Sequence, residues 1–177
     1  MAVALLVLLI VPERLGALSL SELLDDPGMT PKRFAGLFED FEYLYGVEIL
    51  APEVFLRRRR GDCDDHAVLA DYVLRQKGYG TRLVHVRMVG RVAHEVCYVT
   101  ESGAYIDYND RRYFLNLQRC GRSIRQIAAK VAASFAGNWT SASEFTYNQQ
   151  ERRKHFSVTV VKTDPPSSDP DSAPGRG

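Results

Sequence analysis

The segment Gly61-Asp62-Cys63-Asp64-Asp65-His66-Ala67, running on to Lys77 and stopping at Gly78, constrains this chain most, because its residues repeat at helical and not strand spacing. Cys63, Ala67, Ala70 and Leu74 follow one another at intervals of four, three and four, which is one face of a helix. That face is small and apolar, so it suits close packing against a sheet. Gly61 breaks the arginine run before it, and Gly78 offers a left-handed cap after it, which predicts a helix over 64–77 with Cys63 at or just before its first turn.

A cysteine at a helix start sits beside unpaired N–H groups and the positive end of the macrodipole, which favour a thiolate and bring the thiol below its ordinary value. Asp62, Asp64 and Asp65 act the other way as neighbouring anions, so a reactive Cys63 needs a positive partner. Among the four histidines, His66 lies one turn along the same helix, His85 opposes Val84, Val86 and Met88 in a strand pattern, and His155 follows a charged run. His94 shares a strand face with Val96 and Tyr98, which would hold and orient its imidazole. After the Glu101-Ser102-Gly103 turn, Tyr105 to Asp110 reads as a short strand antiparallel to the histidine strand. Asp107 can then reach His94 across the pair, fix its tautomer and favour an imidazolium beside a Cys63 thiolate.

Cys63, His94 and Asp107 in that order, with the Gly-Asp-Cys-Asp-Asp-x-Ala run, Leu69, the Leu74 to Tyr79 segment and Thr81 to Val84, resemble the transglutaminase-like superfamily, and within it the bacterial transglutaminase-like cysteine peptidases. The resemblance covers about residues 52 to 110. It implies an α+β fold with a papain/transglutaminase-like core, in which the nucleophile helix packs on an antiparallel β-sheet with additional helices. It also implies Cys63 as nucleophile, His94 as general base and Asp107 as orienting acid. The chain departs from the family pattern after His94, where Cys97 and Tyr98 stand in place of an early tryptophan, and after Asp107, where Tyr108 and Asn109 stand in place of proline. The Cys63 N–H is one oxyanion donor, and no upstream Gln or Trp marks a second. Some relatives bind calcium through acids flanking the nucleophile, so the resemblance points to Asp62 and Asp64 as Ca²⁺ ligands, although the reaction itself requires no cofactor. The alternative is that Asp62 caps the helix while Asp64 and Asp65 complement its dipole. Cys63, His66, Cys97 and Cys120 match no common zinc spacing.

With 177 residues, 45% of them hydrophobic, the chain can bury one substantial core, and 23 basic against 22 acidic residues single out no charged partner. Arg57 to Arg60 read as the solvated end of a helix opened by Pro52; without a second basic stripe they do not indicate nucleic acid. Met1 to Val11 has the length of a signal-peptide core, with Ala17-Leu18-Ser19 as a cleavage site, which predicts a signal peptide over 1–19, a secreted or periplasmic bacterial protein, and no stable membrane insertion after cleavage. In an oxidising compartment Cys97 and Cys120 are the pair left to bridge if Cys63 stays free, unless both are buried small hydrophobes.

A single domain is expected over 20–162, followed by a disordered Pro-, Ser-, Asp- and Gly-rich tail over 163–177. Within the domain, helices are expected over 19–26, 30–38 and 121–136, and strands over 41–49, three times within 81–109, near 112–117 and over 155–162. The functional expectation is a thiol-dependent acyl-transfer enzyme, a cysteine peptidase or amidase that hydrolyses a peptide or side-chain amide of a protein or peptide substrate. Two alternatives stay open, a catalytically inactive transglutaminase-like binding module and a protein cross-linking transglutaminase. No oligomeric state follows from the sequence.

Overall fold

The computed structural model describes residues 18–110 and 117–163. It is a mixed α+β fold in which one antiparallel sheet separates two apolar cores. The expected signal peptide and tail fall outside the described residues except for Leu18, Ser19 and Thr163. Ser19 caps α1 (Leu20–Asp25) through a reciprocal box with Glu22, so cleavage before Leu20 would remove that cap. Among the described residues no helix is long and apolar enough to cross a membrane.

Thr30 caps α2 (Pro31–Ala35), which runs into a tighter turn over Gly36–Phe38; of the stripe Phe34, Leu37, Phe38 and Phe41 that helical spacing predicts to be buried, Leu37 is only partly so. The strand expected over 41–49 is reduced to β1 (Glu42–Tyr43), paired in parallel with β2 (Arg60–Gly61). Beyond Leu44, whose N–H still donates to the Gly61 carbonyl, the backbone finds side-chain partners: the Gly46 N–H donates to Asp62 Oδ2 at 2.8 Å and the Leu50 N–H to Asp65 Oδ1 at 2.6 Å. Between them, α3 (Pro52–Arg58) ends at Arg59, whose φ of 51° closes the helix in the left-handed region and whose guanidinium pairs with Asp40 over the Phe41 ring.

The helix α4 (Cys63–Gln76) starts one residue before its sequence-predicted start, which makes Cys63 its first residue, and Gly78 follows its end at φ 83°. Six strands form the sheet: β3 (Thr81–Met88), β4 (His94–Val99), β5 (Ala104–Ile106), β6 (Leu117–Arg119), β7 (Trp139–Asn148) and β8 (Arg153–Val161), in the order β6-β5-β4-β3-β7-β8. Most of the strand expected near 112–117 lies outside the described residues. Alternation assigns Leu83, Cys97, Val99, Ile106 and Phe145 to the face covered by α4, and Val84, Val86, Val96, Tyr98 and Tyr105 to the face covered by α5 (Ile124–Ser134). Behind α4 stand Leu23, Phe34, Phe38 and Phe55, so the α4 face carries the larger core.

The three cysteines are unbridged. The pairing expected between Cys97 and Cys120 does not occur because the sheet divides them: Cys97 is fully buried under α4, whereas Cys120 follows β6 and packs against the α5-side core. The alternative holds for Cys97, a small buried hydrophobe.

Gly61 is where the fold is tightest around the site. A Cβ there would fall 2.7 Å from the Phe55 ring and directly against the Asp65 carboxylate that closes the α4 cap. Gly61→Ala is therefore expected to cost about 1–3 kcal/mol through overpacking, read as a lower urea midpoint with an unchanged slope; an unaltered midpoint would show that the cap and Phe55 give way freely.

Candidate functional site

The hairpin of β4 and β5 brings together two of the three sequence-predicted site residues. Cys97 faces Ile106 and Tyr98 faces Tyr105 across the pair, so the chain leaving β5 carries Asp107 back alongside His94. His94 Nε2 lies 2.8 Å from Asp107 Oδ1, both side chains are buried, and the ring meets Phe135 edge-on at 4.9 Å. The same Asp107 oxygen accepts the Asn109 N–H at 2.9 Å, which fixes the carboxylate before it meets the imidazole. Burial alone would lower the His94 pKa, but the charge and hydrogen bond of Asp107 outweigh it, and the net shift is upward.

The third residue is held elsewhere. Cys63 Sγ donates to Glu95 Oε2 at 3.3 Å, and no hydrogen bond joins it to His94. Alternation is the cause: Val86, on the α5 face, pairs with His94, whereas His85, on the α4 face, pairs with Glu95, so neighbouring residues of β4 point to opposite faces. The expectation that the helix start lowers the thiol pKa is overturned here. Burial first, then the charge of Glu95, hold the Cys63 thiol well above its ordinary range, and the side chain is only 6% exposed. The cost of taking a thiolate out of water, together with the facing carboxylate, outweighs the helix dipole.

Glu95 is the centre of a buried polar cluster. Its Oε1 takes His85 Nδ1 at 2.6 Å and Lys154 Nζ at 2.8 Å, and Lys154 also reaches Asp64 Oδ2 at 3.0 Å. Burial would raise the Glu95 carboxyl, but His85 and Lys154 bring it down to about 2, so it stays an anion beside the thiol. Lys154 is the positive partner the acidic motif needs, and it serves the carboxylates directly.

Asp62 and Asp64, the positions expected to hold calcium, and with them Asp65 offer oxygens within 4.8 Å of one another. Each of the three already accepts from a donor of the protein. Asp62 accepts from the Asp64 N–H at 3.2 Å and from Gly46, Asp65 accepts from the Asp62 N–H at 3.0 Å and from Leu50, and the Lys154 ammonium takes Asp64. This is a reciprocal capping box with a cation beside it, and its three carboxylates still lie close enough together to hold a metal ion. Burial, followed by a hydrogen bond with Asp64, raises Asp62 to about 8.

The other histidines have structural surroundings. His66 lies among Phe34, Phe38 and Tyr108 with ring centroids at 5.5, 4.7 and 5.0 Å, and His155 pairs with Glu151 at the surface. A cleft of 240 Å³ opens beside His94, lined by Tyr43, Met88, Arg91, Val92, Ala93, Asn109 and Phe135. Tyr43 lines this cleft with His94, and burial raises its phenol.

Glu95, His85, Lys154 and Tyr43 were not among the sequence-predicted site residues. Glu95 carried a legible sign, a carboxylate inside an otherwise apolar strand, and the hairpin register that pairs it with His85 spans ten residues. Lys154 stands 90 residues from Asp64, and no local pattern announces it.

The His94 titration gives a directional test. Its raised folded pKa contributes stability that is fully present below the unfolded value of about 6.5 and is lost as pH rises through the folded value. Asp107→Asn should therefore destabilise the fold more near about pH 6 than near about pH 9, and it should lower the His94 midpoint followed by NMR. Equal losses at both pH values would separate His94 from Asp107.

No protein-family model and no curated protein matches the chain, so what this site does is argued from its residues and their geometry.

Proposed function

We propose that the chain is a thiol-dependent acyl-transfer enzyme, a cysteine peptidase or amidase that hydrolyses a peptide or side-chain amide with Cys63 as nucleophile, His94 as base and Asp107 as the group that orients it. The observation that carries this reading is the buried His94–Asp107 pair at the wall of an open cleft, on the residue next to the one that holds the Cys63 thiol. A cysteine at the first residue of a helix, packed on an antiparallel sheet whose successive strands carry the histidine and lead into the aspartate, supports a papain/transglutaminase-like core.

With Asp107 accepting from Nε2, the imidazole hydrogen sits on that nitrogen and Nδ1 carries the free lone pair. For reaction the thiol turns from Glu95 and gives its proton to Nδ1. Sulfur then bonds the amide carbon, the Cys63 N–H at the start of α4 donates to the developing oxyanion, and His94 returns the proton to the departing amine. Water attacks the thioester with His94 again as base, which releases the acid and restores the thiol. Asp107 keeps the imidazolium stabilised throughout.

A second reading has its own observation. A thiol that is buried, held up and bonded to Glu95 also suits a domain that receives a peptide in the same cleft without cleaving it.

Peptide-amide hydrolysis by the full chain decides between them. Activity should disappear in Cys63→Ala and fall by about 10³-fold or more in His94→Ala, with a mass-trapped thioester on Cys63. Glu95→Gln removes a charge that holds the thiol protonated, so alkylation of Cys63 by iodoacetamide should quicken relative to Cys120 in the same molecule. If no amide is cleaved and a peptide electrophile labels Cys63 at the same rate with and without His94, the binding-module reading stands instead.

A further inference from the structure

The cleft beside His94 has a chemical character that the acyl-transfer chemistry itself does not require. Tyr43, Met88, Val92, Ala93 and Phe135 make its walls apolar, and 240 Å³ is below the roughly 300–1,000 Å³ of pockets that enclose a drug-sized molecule, which leaves room for one large side chain. The walls come from three separate places in the chain: Tyr43 from β1, Met88 to Ala93 from the β3–β4 connection, and Phe135 from the end of α5. Phe135 is held edge-on by His94, so the pocket and the imidazole share a wall.

Charge at the rim is one-sided. The Arg91 guanidinium lies 5.8 Å from the Phe135 ring centroid, over the mouth of the cleft, and among the described residues it forms no ion pair. Elsewhere in the fold Arg59 pairs with Asp40, Arg82 with Glu144 and Arg152 with Glu48. A guanidinium stacked on an aromatic ring keeps its N–H edge free for a carboxylate. Asn109 also lines the cleft, while its backbone N–H is spent on Asp107.

We infer that this cleft is the specificity pocket of the enzyme and takes a large apolar side chain from a peptide that carries a carboxylate on the adjoining residue, the side chain filling the space between Tyr43, Met88 and Phe135 and the carboxylate meeting Arg91. The inference rests on the reading of Cys63, His94 and Asp107 as the reacting groups. It concerns binding, so it can be tested apart from catalysis.

The test uses the full chain bearing Cys63→Ala and short fluorescein-labelled peptides read by anisotropy. A Phe-Asp peptide should bind about tenfold more tightly than its Gly-Asp counterpart and about fivefold more tightly than Phe-Lys. Adding Arg91→Glu should reverse the Asp-over-Lys preference while keeping the Phe-over-Gly preference. Val92→Ser, at a position 62% exposed where the fold is little disturbed, should do the opposite by weakening Phe peptides while keeping the Asp-over-Lys preference. Equal binding of Phe and Gly peptides, or a charge preference that survives Arg91→Glu, would overturn the pocket. Because Cys63→Ala cannot react, these outcomes do not depend on whether the native chain cleaves anything. Conversely, hydrolysis by the native chain that ignores both side chain and charge would keep the reaction and discard the pocket.

Discussion

The reciprocal cap at the start of α4 is the constraint from which the rest of the site follows. Asp62 and Asp65 exchange hydrogen bonds with each other's side of the helix end, which satisfies donors that a buried terminus would otherwise leave orphaned. Their remaining oxygens reach the loop before α3, at Gly46 and Leu50, and hold it beside the helix terminus. One pair of carboxylates thereby sets where Cys63 begins the helix and where Tyr43, just upstream of that loop, stands over the cleft. Gly61 is part of the same device, since only the absence of a side chain lets Phe55 and Asp65 close on it.

Charge near the thiol is balanced by contacts rather than by the helix dipole. Glu95 would be costly to bury alone, and His85 with Lys154 make it tolerable by supplying two hydrogen bonds and a cation. The consequence for Cys63 is protective. An anion that accepts from the thiol keeps it protonated and unreactive until something displaces the bond.

How much of this was legible follows from how local each feature is. The α4 helix, the β4–β5 hairpin and the meeting of His94 with Asp107 depend on spacing within thirteen residues or on one tight turn, and alternation alone puts them together. The strand expected over 41–49 was a propensity argument that tertiary contacts overrode, because Asp62 and Asp65 offered the loop backbone better partners than a neighbouring strand did. The Cys97–Cys120 expectation failed for a reason that compartment and count cannot reveal, namely that a sheet stands between the two sulfurs. The thiol's upward shift was half legible, since Asp62, Asp64 and Asp65 argued for it, but Glu95 and the degree of burial come from the fold.

The opposition of His94 and Glu95 across β4 has a geometric consequence for where chemistry can occur. A thiol on the α4 face and an imidazole on the α5 face cannot meet through the middle of a hydrogen-bonded sheet, where the backbone of β3, β4 and β5 is continuous. They can meet only around an end of the strand. His94 is the first residue of β4, Cys63 the first of α4, and Asp107 the first beyond β5, so all three lie at that end. Moving the histidine two residues along β4, to the position of Val96, would preserve its face and its burial yet shut it behind the sheet. The cleft lined by Tyr43, His94 and Phe135 opens at that end of the strand.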